Sequence, residues 1–175
     1  TAFVHDELET LIRAAGGRTL ALFTSNKALN QATEELRLRL PYPILSPSDY
    51  PRQRLIQMFL EDENSCIFAS QSFFQGVDLP GRTLSLVVLD KLPFPPPGDP
   101  LVEARVKQLR EAGKNPFEAY FVAEAAVSLK QGAGRLIRTE SDRGLLVLCD
   151  PRMRQMGYGR RLIAALPPMG LLTEE

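Results

Sequence analysis

The chain has 175 residues, of which 44% are hydrophobic and 24% charged, and its 21 basic and 21 acidic residues cancel to zero net charge. That length and balance fit one globular domain of ordinary size, and the neutral charge means that any nucleic-acid surface has to be local. One histidine and two cysteines argue against a zinc site and against a Ser-His or Cys-His catalytic pair.

Cys66 and Cys149 lie in apolar runs, and no secretory signal precedes them, so we expect a reducing compartment, the cytoplasm. No apolar stretch approaches the roughly 18 residues that a membrane span needs, and we expect no membrane association. The chain begins at Thr1 rather than Met and enters a helical pattern at once. We therefore expect a piece of a longer protein.

Apolar residues alternate between helical and strand-like spacing along the chain. Helices are predicted at 6–15, from the Ser25–Asn26 turn to about Leu40, and at 52–62, 101–112, 117 to about 137, and 158–166. Strands are predicted at 19–23, 44–45, 66–69, 84–89 and 144–149. Strands this apolar that alternate with helices indicate an α/β fold with a central, mainly parallel sheet flanked by helices.

Ligands bind such sheets outside the carboxyl ends of the strands. The turn Thr24–Asn26 and a long loop predicted at 70–81 both follow strands, so both belong to that edge. Ser25 or Asn26 would cap the next helix, and hydroxyls with free N–H groups there also suit an anion. Asp78 beside Gly76 would hold a ribose hydroxyl, or it would simply form a turn.

The segment from Gln131 to Arg138 combines two glycines with two arginines. In a helix, Gln131, Arg135 and Arg138 would project from the same face. Two guanidiniums that converge with an amide suit a phosphate group, because arginine offers bidentate donors. From the spacing alone, an exposed basic helix explains the segment equally well.

A phosphate-binding loop of the Gly-x-x-x-x-Gly-Lys-Ser/Thr type is absent from the sequence. The nearest stretch, Ala112-Gly-Lys-Asn115, lacks the earlier glycine and the hydroxyl. The chain thus has residues suited to sensing a phosphate without a loop to cradle it. Half of a two-part ATPase site would have this composition.

The order of these motifs resembles the second helicase domain of superfamily 2 helicases, in the DinG branch of the DinG/XPD group. Phe23-Thr-Ser-Asn26 is similar to motif IV, Gln71 to Gly81 to motif V, and Gln131 to Arg138 to motif VI. The stretches 91–97 and 158–167 also look DinG-like. The resemblance covers nearly the whole chain and implies a RecA-like three-layer domain.

The resemblance implies an ATP-dependent helicase that moves 5′ to 3′ on single-stranded DNA. ATP would sit between this domain and an N-terminal RecA-like domain of the same chain, which would bind most of the ATP and Mg²⁺. The expected ATP-site residues are Gln131, Arg135, Arg138, Gly76 and Asp78, with the first three also catalytic, and the expected DNA-binding residues are Thr24, Ser25, Asn26, Ser70 and Gln71. An iron–sulfur cluster, where the family has one, lies outside this domain.

One departure from the family pattern is Gln75, where the family usually has Glu, so a carboxylate role there is in doubt. We expect residues 1–175 to form one motor domain with a Pro-rich connection and helical insertion at about 93–116. Two alternatives stay open: an RNA helicase or translocase of the same superfamily, and a non-catalytic module that binds nucleic acid or protein.

Overall fold

The structure is a computed structural model that describes residues 2–74, 84–96, 98–136, 143–166 and 169–170, except the side chains of Phe74 and Arg135. Its strands are β1 Thr19–Phe23, β2 Ile44–Leu45, β3 Cys66–Ser70, β4 Leu86–Leu89 and β5 Leu145–Leu148. Its α-helices are α1 Ala2–Ala15, α2 Asn26–Arg39, α3 Arg52–Glu61, α4 Pro100–Glu111, α5 Val122–Leu136, α6 Arg152–Gln155 and α7 Tyr158–Ala165. A 3₁₀ turn spans Gln71–Phe74, and a π-helical turn spans Phe117–Phe121.

The strands form one five-stranded sheet in the order β2-β3-β1-β4-β5. Every neighbouring pair is parallel, with β1 in the middle between β3 and β4. β1 and β4 are buried along their whole length, as parallel strands covered on both faces must be. The predicted α/β RecA-like fold is confirmed.

Alternate residues of each strand face opposite sides of the sheet. On one side, Phe23 and Phe68 pack with their ring centroids 5.7 Å apart, under Leu8 of α1 and Leu36 of α2. The opposite side is covered too, because Leu20, Leu22 and Ile67 are at most 2% exposed. The central strands therefore hold a rigid edge on which loops can be placed.

The chain divides into two compact units. The first contains residues 1–91 and 134–150, which include all five strands, and the second contains residues 92–133 and 151–175. Within the second unit, the rings of Phe94, Phe117 and Tyr158 lie 5.3–5.8 Å apart, and the guanidinium of Arg152 lies 5.1 Å from the Phe94 ring centre. This unit is organised around aromatic side chains rather than around strands.

Most predicted elements occur within a few residues of their expected bounds, and four details differ. Ser70 belongs to β3, and Gln71–Phe74 form a 3₁₀ turn, where a loop was predicted from Ser70. Residues 75–81 of that predicted loop lie outside the described residues. α6 and the π-helical turn at Phe117–Phe121 were not predicted.

None of the described helices is both long enough and apolar enough to cross a bilayer.

The fourth difference is β4, which begins at Leu86 rather than at Leu84. Its partner β1 begins only at Thr19, which pairs with Leu86. Gly17 and Arg18 just before it both have positive φ, 88° and 51°, a conformation incompatible with a strand. A Cβ on Gly17 would also lie 2.1 Å from the Asn64 carbonyl oxygen, so only glycine fits there. β4 therefore has no partner within strand β1 before Leu86, although the Ser85 N–H still donates to the Arg18 carbonyl oxygen at 2.9 Å.

Candidate nucleotide and nucleic-acid site

The carboxyl edge of the central strands gathers the polar residues predicted to contact DNA. Ser70 ends β3 and pairs in register with Phe23, the last residue of β1. Thr24 is the first residue after β1, and Gln71 is the first residue after β3. Asp90 is the first residue after β4, which lies on the other side of β1. Since neighbouring strands lie about 4.8 Å apart, the residues after β1 and β3 form one continuous polar edge.

Ser25, one of the two residues predicted to cap helix α2, is its N-cap. Its Oγ accepts a hydrogen bond from the Ala28 N–H at 3.1 Å, and its own backbone is extended, with φ −132° and ψ 148°. Thr24, Ser25 and Asn26 are exposed. The start of α2 therefore presents hydroxyl and amide groups to solvent beside the positive end of a 14-residue helix.

Asp90 is a buried carboxylate at this edge, only 7% exposed. Its Oδ1 accepts the Thr24 N–H at 3.1 Å, and its Oδ2 accepts the Thr24 hydroxyl at 3.4 Å. Burial raises the pKa of Asp90 above the ordinary value of 3.8, while the hydrogen bonds from Thr24 and from the Lys91 backbone oppose that rise. Sequence reasoning missed Asp90, although an acid directly after the apolar run of β4 was a visible signal.

The segment that follows β3 is tied to its neighbours by side chains. Ser70 Oγ and Ser72 Oγ lie 2.8 Å apart, and Gln71 Nε2 donates to the Lys91 carbonyl oxygen at 3.3 Å. Further on, Arg52 donates to the Phe73 carbonyl oxygen at 2.6 Å and places its guanidinium 5.1 Å from the Phe73 ring centre. These contacts anchor the 3₁₀ turn just before the segment that carries Gly76 and Asp78.

The predicted ATP-site residues are only partly described. Gln131 lies in α5 and is exposed, and the backbone of Arg135 continues the same helix, which confirms the predicted helix up to Leu136. Arg138, Gly76 and Asp78 lie outside the described residues, as does Gln75. The structure therefore gives no geometry for a convergence of Gln131, Arg135 and Arg138.

The glycines of this helix are not explained by close packing alone. Gly132 is buried, but a Cβ on Gly134 would meet no heavy atom within 4 Å in the described part of the chain. Each glycine costs about 1 kcal/mol relative to alanine in a helix interior.

Metal ligands do not cluster in the described part of the chain, where no group of three His, Cys, Asp or Glu side chains could hold an ion. Cys66 and Cys149 form no disulfide with each other, and burial raises the pKa of Cys66 to about 12, which makes it a poor nucleophile and metal ligand.

Known proteins resemble the chain in both sequence and fold. It is 45% identical over 167 residues to the ATP-dependent helicase DinG of Mycobacterium tuberculosis, which covers 95% of this chain and 25% of that protein. It is 42% identical over 161 residues to the ATP-dependent DNA helicase YoaA of Escherichia coli, which covers 92% of this chain and 25% of that protein. The solved structure named XPD_Helicase matches with a TM-score of 0.71 and 22% identity over 96% of this chain and 31% of that one.

The chain spans about a quarter of the length of these curated relatives. The family described as the helicase C-terminal domain matches residues 8–169, which is nearly the whole chain and includes all five strands. The solved structure supports the RecA-like fold, both relatives are named as helicases, and the first carries the DinG name that the motif order indicates. The chain therefore belongs to the family of helicase C-terminal domains, of the DinG type that its motifs resemble.

Proposed function

We propose that this chain is the second motor domain of an ATP-dependent helicase that moves 5′ to 3′ on single-stranded DNA. The observation that carries the proposal is the polar edge of the sheet, where Ser70 pairs with Phe23 and the predicted DNA-binding residues Thr24 and Gln71 follow these two strand ends. The two curated relatives are named as ATP-dependent helicases, one of them for DNA, which supports extending this function to the full-length protein.

The DNA track consists of Thr24, Ser25, Asn26, Ser70 and Gln71. These side chains carry hydroxyl and amide groups that can donate hydrogen bonds to phosphate oxygens, the type of contact that positions a strand without reading its sequence. Their placement on a rigid sheet edge lets the strand be held in a fixed position while the motor cycles. Such contacts are independent of base sequence, as a translocating enzyme requires.

The ATP site would be shared with an N-terminal RecA-like domain of the same protein, which supplies the phosphate loop and the acids that bind Mg²⁺. Arg138 and Arg135 would stabilise charge that develops on the transferred γ-phosphoryl group. Gln131 would align those arginines. Gly76 and Asp78 would contact the ribose or couple the nucleotide to the DNA track, and Gln75 leaves that coupling without the usual carboxylate.

Residues 1–175 would work as one motor domain, in which the Pro-rich connection and helix α4, at about 93–116, form an insertion. α5 runs from the second compact unit into the first at Ala133–Gly134. The segment proposed to sense ATP therefore continues directly from a helix of the second unit.

The test is strand displacement by the full-length protein on two duplexes that differ only in whether the single-stranded tail is 5′ or 3′. We expect ATP-dependent displacement of the 5′-tailed duplex and none of the 3′-tailed duplex. Displacement of the 3′-tailed duplex alone would contradict the polarity. Preference for an RNA tail would favour an RNA helicase, and binding without ATP hydrolysis would favour a non-catalytic module. The isolated 175-residue chain should hydrolyse essentially no ATP.

A further inference from the structure

The buried carboxylate of Asp90 has no cation as a direct hydrogen-bonding partner among the described residues. It accepts neutral hydrogen bonds from the backbone N–H and the hydroxyl of Thr24 and from the Lys91 backbone, and the Lys91 charge acts on it only through space. A carboxylate that is only 7% exposed loses most of its hydration, and neutral donors compensate that loss only in part. Burial of this carboxylate therefore costs folding stability. Its partner, Thr24, belongs to the predicted DNA track.

The geometry explains why the carboxylate reaches Thr24 and no other residue of that track. β1 and β4 are parallel neighbours, with Leu22 paired to Leu89, and the Asp90 N–H donates to the Leu22 carbonyl oxygen at 3.1 Å. This bond continues the sheet one residue beyond β4. The Asp90 side chain then bridges to the first residue after β1, where the sheet ladder has ended. It thus fixes the N–H and the hydroxyl of a residue that begins a turn.

The next residue, Lys91, holds the second DNA-contacting segment. Gln71, which follows β3, donates from Nε2 to the Lys91 carbonyl oxygen at 3.3 Å. Because β1 lies between β3 and β4, this contact crosses two strand spacings, about 10 Å. Two consecutive residues after β4 therefore contact both segments of the predicted track. Asp90 contacts the segment after β1, and Lys91 contacts the segment after β3.

We propose that Asp90 and Lys91 form a common anchor that sets the relative positions of the Thr24–Asn26 turn and the Ser70–Gln71 strand end, with Asp90 as a positioning residue for single-stranded DNA binding. The inference rests on the proposed function, and it adds residues that the DNA track itself does not contain. Asp90 would not touch DNA. It would keep Thr24 where its neighbours can hold successive phosphates, so that the strand binds without first ordering the turn.

The experiment compares Asp90→Ala, Asp90→Asn and Asp49→Ala in the full-length protein. Alanine removes both contacts with Thr24. Asparagine keeps them, because its oxygen accepts the N–H and its amide donates to the hydroxyl oxygen. Asp49 is the control for the loss of a carboxylate, because its side chain pairs with Arg37 at 2.6 Å instead of with the DNA track.

For Asp90→Ala, we expect the concentration of a poly-dT oligonucleotide that half-maximally stimulates ATP hydrolysis to rise about tenfold. The hydrolysis rate at saturating DNA and the affinity for ATP without DNA should stay within about twofold of wild type. Asp90→Asn and Asp49→Ala should both match the wild type. A fall in the saturated rate with no change in DNA affinity would overturn the positioning role.

If DNA does not stimulate ATP hydrolysis, that result would contradict the proposed function and would not test the anchor. A second measurement therefore tests the contact between Asp90 and Thr24 directly. Hydrogen exchange of the Thr24 amide in the full-length protein should be protected in the wild type and in Asp90→Asn. In Asp90→Ala the Thr24 amide should exchange at least tenfold faster, while the amides within β1 keep their protection. Unchanged protection of Thr24 in Asp90→Ala would overturn the anchor whatever the DNA measurements show.

Discussion

Each of the two compact units has its own kind of internal packing. The first is built on a parallel sheet whose central strands are buried on both faces. The second consists of helices and a proline-rich connection around the aromatic rings of Phe94, Phe117 and Tyr158. A buried strand is intolerant of polar substitutions along its whole length, whereas an aromatic cluster depends on a few side chains. The units should therefore differ in how much one substitution costs.

The largest effect is expected in the sheet core, for Phe68→Ala. Phe68 is fully buried in β3 and packs against Phe23, so truncation leaves a cavity that parallel strands cannot close. We expect the free energy of unfolding to fall by about 3–5 kcal/mol, measured by urea denaturation of the 175-residue chain. Phe3→Ala, at a residue that is 67% exposed, is the control and should change little. Equal losses in the two variants would refute the assignment of the core.

A smaller effect is expected in the second unit, for Tyr158→Ala. Tyr158 is 8% exposed and contacts Phe94 and Phe117 edge-on. Losing its burial and two aromatic contacts should lower the free energy of unfolding by about 2–3 kcal/mol. Tyr50→Ala, at a tyrosine that is 38% exposed, is the control for removing a phenol ring. A loss as large as that of Phe68→Ala would remove the contrast between the units.

The smallest stability effect is expected at the polar edge of the first unit, for Asp90→Asn. Because burial raises the folded-state pKa of Asp90, the folded protein holds this proton more tightly than the unfolded chain does. This tighter proton binding stabilises the folded protein at low pH. The stabilisation is lost as the pH rises from 3.8, the ordinary pKa of the group, through the folded-state pKa. Relative to Asp90→Asn, the wild type should gain stability as the pH falls from about 7 to about 4.

This pH dependence can be measured as the difference between the melting temperatures of the wild type and Asp90→Asn at several pH values. The comparison cancels the titration of the other acids, which both proteins share. A difference that does not change with pH would show that the effect of burial on the pKa of Asp90 is balanced by that of its hydrogen bonds. A change of the opposite sign would show that those bonds hold the carboxylate in its charged form.

The sequence predicted the first unit well because buried strands leave a strong signal. The runs at β1, β3 and β4 are apolar without interruption, and each strand is followed by polar residues at the same edge. Thr24 and Ser70 could be assigned to that edge without coordinates. The pairing of Asp90 with Thr24 could not, because it depends on strand order, and β4 neighbours β1 although 62 residues separate the last residue of β1 from the first of β4.

The second unit was harder to predict from its sequence. Helix α6 has only four residues and no apolar periodicity, and the π-helical turn at Phe117–Phe121 looks like the first turn of an ordinary helix. For the candidate ATP site, the family resemblance named the residues, and the helix through Gln131 is confirmed. The roles of Arg135 and Arg138 stay predictions, because spacing along one helix does not reveal what lies opposite them.

The central claim is that this chain supplies arginines to an ATP site completed by another domain. The most direct test is the rate of ATP hydrolysis by the full-length protein with Arg138→Ala, at saturating single-stranded DNA. The rate should fall on the order of a thousandfold, the effect of removing an arginine that stabilises the transferred phosphoryl group, while the affinity for single-stranded DNA is retained. Hydrolysis at the wild-type rate would contradict the claim and would leave Arg138 with a structural role alone.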